Sequence, residues 1–276
     1  LPRFLLHIIL SLPIHCATVF NINKVVMNLY SKHTTPESLY GYEQIRRKYA
    51  KPTLEMCQKL MGESSGNLHF TEFPYNLVQQ LPDKLNVAGG LNLSNTSITH
   101  LPDDLNVDLW LDLSNTPITH LPNGFTVGKD LYLYGSGITH TPNNLYVGRN
   151  LDLRHTHLTH VGKNLTVGGY LDLRNTPITH IGDNLRVGGN LDLRNTPITH
   201  IGDNVAVDED VDLLGSSITH IGDNLEVGGN LDLRNTPITH IGDNLYVGYD
   251  LYIGNTPNLD KDNLPSDMQV GGRIKA

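Results

Sequence analysis

Cysteine is scarce in this chain, since Cys16 and Cys57 are the only two among 276 residues. A disulfide framework and a CxxC metal site are therefore both excluded as supports of the fold. Positive charge is scarce as well, because 20 Lys and Arg residues face 28 Asp and Glu residues, for a formal net charge of −8. Without a basic stripe, we expect neither a nucleic-acid partner nor an anionic-membrane partner.

Catalytic and nucleotide-binding signatures are also missing from the sequence. It holds no GxGxxG that opens a helix, no Walker loop, and neither an HExxH nor a GxSxG segment. A mixed set of catalytic side chains, which an active-site cleft would need, is not evident either. We therefore expect no catalytic residue, no cofactor and no enzymatic activity.

An apolar stretch at the start of the chain, LPRFLLHIILSLPIHCATVF, has the length of a signal peptide. It is too short and too interrupted by proline for a membrane span, so we expect no membrane-spanning segment. Two interpretations of residues 1–33 stay open. They are a secretion leader, in which case the protein is secreted, or an over-extended start, in which case Met27 begins a cytoplasmic chain.

Residues 34–66 predict a small helical N-terminal cap followed by a linker. Thr35 is a suitable N-cap, Pro36 suits the first helical position, and Glu37 lies in the first turn. A second short helix is expected to stop at Gly62, before the ESSG linker. A repeat array exposes apolar core at its first coil, so a cap with a polar outer face is needed there.

The remaining part, residues 67–276, is dominated by a twenty-residue repeat. The string LDLRNTPITHIGDN occurs unchanged at 171–184, 191–204 and 231–244. We number the positions of a repeat from 1 to 20, with position 1 at residues 81, 101, 121 and onward. Nine regular coils then fill 81–260 without an insertion, and a partial last coil fills 261–276. This regularity predicts an all-β solenoid of about nine and a half stacked coils.

Within a coil, six positions are almost always apolar and predict the core. In one coil they are Ile181, Leu185, Val187, Leu191, Leu193 and Ile198. Alternation at positions 5 to 7 and 11 to 13 predicts two short strands per coil. Position 16 is always Thr or Ser, which predicts an inward hydroxyl bonded to backbone groups. Position 8 is usually Gly, which predicts a corner with positive φ.

The segment LDLSNTPITHLP at 111–122 resembles the leucine-rich repeat pattern LxLxxNxLTxLP, and is most similar to the short twenty-residue class of bacterial effector proteins. The resemblance covers residues 81–260 and implies a curved solenoid of parallel strands. Two departures are Thr116, with its equivalents, in place of the ladder Asn, and an unusual second half-repeat. The second departure leaves a straighter, triangular β-solenoid open. Some effectors of this class are ligases with a separate catalytic cysteine domain. No comparable segment follows the repeats, so we expect no ligase activity.

Histidine fills position 20 in eight successive coils, at His100, His120, His140, His160, His180, His200, His220 and His240. Stacked imidazoles can chelate a divalent ion, and His180, His200, His220 and His240 are the candidate ligands. A column of imidazoles can also sense pH, because charging one ring opposes charging the next. We favour a third interpretation, a surface residue copied with its repeat, because no carboxylate or cysteine at a fixed adjacent position completes a coordination shell.

Charged columns run along one strand of the repeat. Position 12 carries Asp112, Asp152, Asp172, Asp192, Asp212 and Asp232, and position 14 carries Arg154, Arg174, Arg194 and Arg234. Opposite charges on neighbouring strand positions attract, so these columns predict a charge-compensated surface.

Aromatic residues break this pattern at Trp110, Tyr132, Tyr134 and Tyr170. In a leucine-rich solenoid this strand face is the usual partner-binding surface, and exposed aromatics concentrate binding energy. The sequence therefore predicts a non-enzymatic module that binds a protein partner of unknown identity through these aromatics and the Arg column. A monomer is expected, with end-to-end association left open. The alternative function is a structural or surface-contact protein, such as a fibre or capsid element, an adhesin, or an ice or mineral binder.

Overall fold

The computed structural model describes residues 66–70, 80–260 and 264–276. The predicted leader and helical cap lie outside these residues. The described part is an all-β solenoid of about ten turns, and it contains strands of two residues each but no helix. Every strand pairs in parallel with the equivalent strand of the neighbouring coil. The predicted solenoid of twenty-residue coils is thereby confirmed.

Two long sheets run the full length of the solenoid. The first sheet is built from positions 11 and 12, and its strands are Leu68–His69, Leu91–Asn92, Leu111–Asp112, Leu131–Tyr132, Leu151–Asp152, Leu171–Asp172, Leu191–Asp192, Val211–Asp212, Leu231–Asp232, Leu251–Tyr252 and Ile274–Lys275. The second sheet is built from positions 6 and 7, and its strands are Asn86–Val87, Asn106–Val107, Thr126–Val127, Tyr146–Val147, Thr166–Val167, Arg186–Val187, Ala206–Val207, Glu226–Val227, Tyr246–Val247 and Gln269–Val270.

A third sheet, formed by positions 20 and 1, occupies only the later coils. Its strands are His160–Val161, His180–Ile181, His200–Ile201, His220–Ile221 and His240–Ile241. The sequence predicted two strands per coil, and the later coils have three. Each of those coils therefore contributes one strand to each of three sheets.

The register between coils places identical positions next to one another. Leu171 pairs with both Leu151 and Leu191 in the first sheet. At the end of the solenoid, Leu251 pairs with Ile274, an offset of 23 residues that matches the three extra residues of the last coil. The six apolar positions form one continuous core, in which most of the Leu, Ile and Val side chains are fully buried. Burial of this apolar surface is the main stabilising contribution.

The hydroxyl at position 16 points inward, as the sequence predicts. In seven coils the Thr Oγ1 donates a hydrogen bond of 2.6–2.8 Å to the carbonyl at position 13 of the same coil. The two serines at this position, Ser136 and Ser216, are equally buried, but their hydroxyls have no hydrogen-bond partner among the described residues. The threonine hydroxyl therefore closes its own coil with a hydrogen bond that the serine hydroxyls do not make.

The prediction that glycine at position 8 forms a corner with positive φ is wrong. Gly148, Gly168 and Gly188 are not among the residues with positive φ. A Cβ at these glycines would lie 2.0–2.4 Å from a carbonyl oxygen of the preceding coil, so close approach between coils excludes a side chain there. Positive φ occurs instead mostly at the asparagines of positions 4 and 15, such as Asn184 and Asn195. Asparagine tolerates this conformation better than most residues.

Candidate functional site

The charged columns on the outer side of the first sheet form one continuous network, here called the charge ladder. Its members are Asp152, Arg154, Asp172, Arg174, Asp192, Arg194 and Asp212. Each Arg binds the Asp of its own coil through two hydrogen bonds, as Arg174 does to Asp172 at 3.0 and 2.6 Å. Each Arg Nε also lies 3.2–3.4 Å from the carboxylate of the next coil. The ladder therefore compensates its charges internally.

Burial of the carboxylates makes this pairing strong at the centre of the ladder. Asp172 and Asp192 are only 3% and 4% exposed, although both lie on the outer side of the sheet. Burial alone would raise the pKa of Asp192, but hydrogen bonds from Arg194 and from the Tyr170 hydroxyl bring that pKa below its usual value. Burial and the neighbouring carboxylates in turn raise the pKa of Tyr170. Tyr170 is therefore held within the ladder by its hydroxyl.

The ladder is interrupted where Leu214 stands at the Arg position. Asp212 then accepts a hydrogen bond from the backbone N–H of Leu214 at 3.1 Å, and the cationic group that the described residues place beside it is the Nε of Arg194, 3.3 Å away. Burial raises the pKa of its carboxyl group. Arg234 pairs with Asp232 one coil later and lies over the Tyr252 ring, with its guanidinium carbon 5.1 Å from the ring centroid. Of the predicted binding arginines, Arg234 is the one outside the continuous ladder.

Two tyrosines of one coil, Tyr132 and Tyr134, stand beside the ladder at its N-terminal end. They are 37% and 39% exposed. The Tyr134 ring meets His155 edge-on at 5.1 Å, and the guanidinium of Arg154 lies 5.6 Å from the ring centroid. Tyr132, Tyr134, Arg154 and His155 are here called the tyrosine patch. His155 was not predicted, and its position directly after Arg154 in the sequence is the signal that could have identified it.

Trp110 lies one coil before the tyrosine patch but turns away from it. Its ring covers Gly90, where a Cβ would be 1.9 Å from the indole. It also contacts His69 with a centroid distance of 5.8 Å. The structure therefore joins Tyr132 and Tyr134 in one patch, places Tyr170 within the charge ladder, and directs Trp110 toward the start of the solenoid.

Position 10, beside the first sheet, carries a second polar column that the sequence interpretation missed. The Oδ1 atoms of Asp130, Asn150, Asn190, Asp210, Asn230 and Asp250 each accept a hydrogen bond from the backbone N–H of the next coil. Asp or Asn fills this position in six of nine coils, and this recurrence is the sequence signal from which the column could have been predicted. These side chains join coils through their Oδ1 atoms.

The histidines at position 20 form an exposed column along the third sheet. Among the described residues, no group of three or more His, Cys, Asp or Glu side chains is close enough to hold a metal ion. A helix long and apolar enough to cross a membrane is likewise not found in residues 66–70, 80–260 and 264–276. The chain matches no protein-family model and no curated protein.

Proposed function

We propose that this chain is a non-enzymatic binding module of the leucine-rich-repeat kind, which holds a protein partner on the outer side of its first sheet. The observation that supports this proposal is the tyrosine patch. Two neighbouring phenol rings remain more than one-third exposed on a sheet whose next three rungs pair their own charges. Tyr and Arg side chains are the types that contribute most to binding at protein interfaces.

The rigidity of the surface favours binding. The backbone under Tyr132 and Tyr134 is fixed from both sides, since Leu131 pairs with Leu111 and with Leu151. A partner that docks here orders few additional backbone bonds, so less conformational entropy is lost on association. The same argument applies along the charge ladder, where Arg174 and Arg194 are held by two carboxylates each.

The chemistry of the patch indicates the kind of partner surface. Arg154 keeps part of its guanidinium exposed beside the Tyr134 ring, although Asp152 and Asp172 neutralise its charge. The free edges of the guanidinium and the phenol hydroxyls offer hydrogen bonds, while the rings offer apolar area. An apolar side chain flanked by hydrogen-bond acceptors on the partner matches this arrangement.

The test compares two pairs of exposed tyrosines. Tyr132→Ala with Tyr134→Ala removes the two tyrosines of the patch, whereas Tyr146→Ala with Tyr246→Ala removes two somewhat more exposed rings, at 47% and 45%, from the second sheet. Each immobilised protein is used to capture proteins from a lysate of the source cells, and the bound proteins are quantified by mass spectrometry. Loss of an anchor costs about 2 kcal/mol or more, so the patch variant should lose its partner about thirtyfold. The second-sheet variant should retain it.

A partner retained equally by both variants, with folding intact, would contradict the proposal. The second candidate function, a structural or surface-contact role, would then be preferred. The unbroken parallel register of two sheets over about ten turns supports that candidate, because stacked coils make a stiff element. Concentration-dependent end-to-end association, measured by analytical ultracentrifugation, would distinguish it from a monomeric binding module.

A further inference from the structure

The third sheet presents a column of parallel imidazole rings to solvent. Successive ring centroids of His160, His180, His200 and His220 lie 5.4, 5.0 and 4.9 Å apart, with interplanar angles of 5–9°. These four residues are here called the histidine ladder. The ring of His240 tilts by 45° from that of His220, and in the early coils the rings of His120 and His140 are more widely spaced, at 6.3 Å.

A column of threonine hydroxyls fixes the hydrogen-bonding state of these rings. Each Nδ1 in the ladder lies 2.9 Å from the Oγ1 of the preceding threonine. The Oγ1 of Thr179, Thr199 and Thr219 also donates to the backbone carbonyl of the threonine one coil earlier, at 3.1–3.3 Å. A hydroxyl has one proton, and the carbonyl takes it. The Nδ1 must therefore be the donor to the hydroxyl oxygen.

This arrangement assigns the proton of the neutral ring to Nδ1 and leaves the lone pair on Nε2. Ring nitrogens that bind metals nearly always have this kind of support, in which the other nitrogen donates to an oxygen that sets the orientation of the ring. Burial and the neighbouring rings of His220 and His180 lower the pKa of His200, which favours the neutral ring.

We propose that the histidine ladder binds late first-row divalent cations such as Zn²⁺, Ni²⁺ or Cu²⁺, with the Nε2 atoms of two successive histidines as ligands and water in the other positions. Imidazole nitrogen suits these metals. A site with two protein ligands is consistent with the finding that no described group of three or more side chains could enclose an ion. The site lies on a different sheet from the tyrosine patch, so this proposal is independent of the proposed function.

Distances decide which histidines can share an ion. With metal–nitrogen bonds of about 2.0–2.1 Å, two Nε2 atoms on one ion are at most about 4 Å apart. Adjacent rings, 4.9–5.4 Å apart, reach this separation by tilting toward each other, which their exposure permits. Histidines two coils apart are separated by about 10 Å, twice the strand spacing, and cannot share an ion. Adjacency, and not the number of histidines, is the requirement.

Two variants with the same number of histidines test this requirement. The interrupted variant replaces alternate members of the whole column with alanine, at His120, His160, His200 and His240. The contiguous variant keeps the histidine ladder and replaces His100, His120, His140 and His240. Calorimetric titration with Zn²⁺ at pH 7.5 should give one to two ions per contiguous chain. The interrupted chain should bind at least about tenfold more weakly, because it has lost the second ligand.

Equal Zn²⁺ affinity in the two variants would overturn the proposal, as would an absence of Zn²⁺ binding by the unaltered protein. A positioning test uses Thr179→Val with Thr199→Val, which removes the hydroxyls that hold the rings and should weaken binding about tenfold. The ¹⁵N spectrum of the metal-free protein provides a separate measurement. It should show the proton on Nδ1 in the ladder, and a proton on Nε2 would contradict the basis of the site.

Discussion

The early and the later coils differ at one side of the solenoid only. Both halves share the first and second sheets, but the third sheet exists only from His160 to Ile241. In the early coils an isolated bridge between His140 and His160 is the sole pairing of this kind among the described residues. The closest stacking of histidine rings among the described residues also lies in the later half, where centroids are 4.9–5.4 Å apart, compared with 6.3 Å for His120 and His140.

The difference coincides with a change of residue at position 2. The early coils have proline there, at Pro82, Pro102, Pro122 and Pro142, whereas the later coils have glycine. The glycine N–H donates to the position-1 carbonyl of the preceding coil, from Gly202 to Ile181, from Gly222 to Ile201 and from Gly242 to Ile221, at 2.9–3.0 Å. Proline has no N–H and cannot make this bond. These bonds link the last four strands of the third sheet, and a backbone donor at position 2 is present in the coils that form this sheet and absent from the proline coils.

The largest expected effect comes from placing the early residue in a later coil. Gly202→Pro removes the bond to Ile181 and leaves that carbonyl without its donor. Gly202→Ala is the matched control, since it keeps the N–H but adds a Cβ, which would lie 2.9 Å from the backbone nitrogen of Asp183. The proline variant should lose about 1–3 kcal/mol more unfolding free energy than the alanine variant, measured by urea denaturation.

Hydrogen exchange locates the effect of the same pair of variants. In Gly202→Pro, faster hydrogen exchange is expected at the amides of Gly222 and His220 in the third sheet. The amide of Leu191 in the first sheet should stay protected. If both variants were equally destabilised, the added Cβ would account for the whole loss. The missing donor would then not explain where the third sheet begins.

Much of this architecture could be predicted from the sequence because it depends on period alone. A strict spacing of twenty residues stacks equal positions, so the core of Leu191, Leu193 and Ile198 and the pairing of Asp192 with Arg194 follow directly. The third strand was missed because it depends on backbone donors, which a pattern of apolar side chains does not reveal. The reason for glycine at position 8 was missed because it depends on the approach of the next coil.

The tyrosine patch was predicted only in part, for a similar reason. The sequence places Trp110, Tyr132 and Tyr134 on neighbouring rungs, and the first-sheet strands beside them do pair in that order. The direction of each ring depends on the space beside it. Gly90 leaves room for the indole of Trp110 on the N-terminal side, and nothing in the repeat pattern of the coil itself indicates this.

A moderate effect is expected from exchanging the two kinds of position-16 hydroxyl. Thr196 Oγ1 donates to the Leu193 carbonyl at 2.7 Å, whereas Ser216 Oγ is buried without a partner among the described residues. Thr is restricted at χ1 by its branched Cβ, and its methyl group fills adjacent space. Ser216→Thr should therefore raise the unfolding free energy by about 1 kcal/mol, and Thr196→Ser should lower it by a similar amount. A destabilised Ser216→Thr protein would show that this coil has no room for the methyl group.

The smallest effect is expected where the charge ladder is interrupted. The pKa of Asp192 is lowered in the fold, so its ionised form stabilises the protein above about pH 4, and this contribution is lost as pH falls through the lowered pKa. The pKa of Asp212 is raised by burial, so its ionised form destabilises the fold at neutral pH, and protonation relieves this as pH falls.

Leu214→Arg should make the Asp212 coil behave like the Asp192 coil. The new guanidinium lowers the pKa of Asp212, and stability at pH 7 should rise by about 0.2–1 kcal/mol. At a pH below the carboxyl pKa values the gain should vanish, because the protonated carboxyl no longer attracts the guanidinium. Leu214→Gln, of similar length and no charge, is the control. Carboxyl ¹³C titration by NMR measures the pKa directly. If Asp212 titrated at the same pH in both variants, the missing arginine would not be what separates these two rungs.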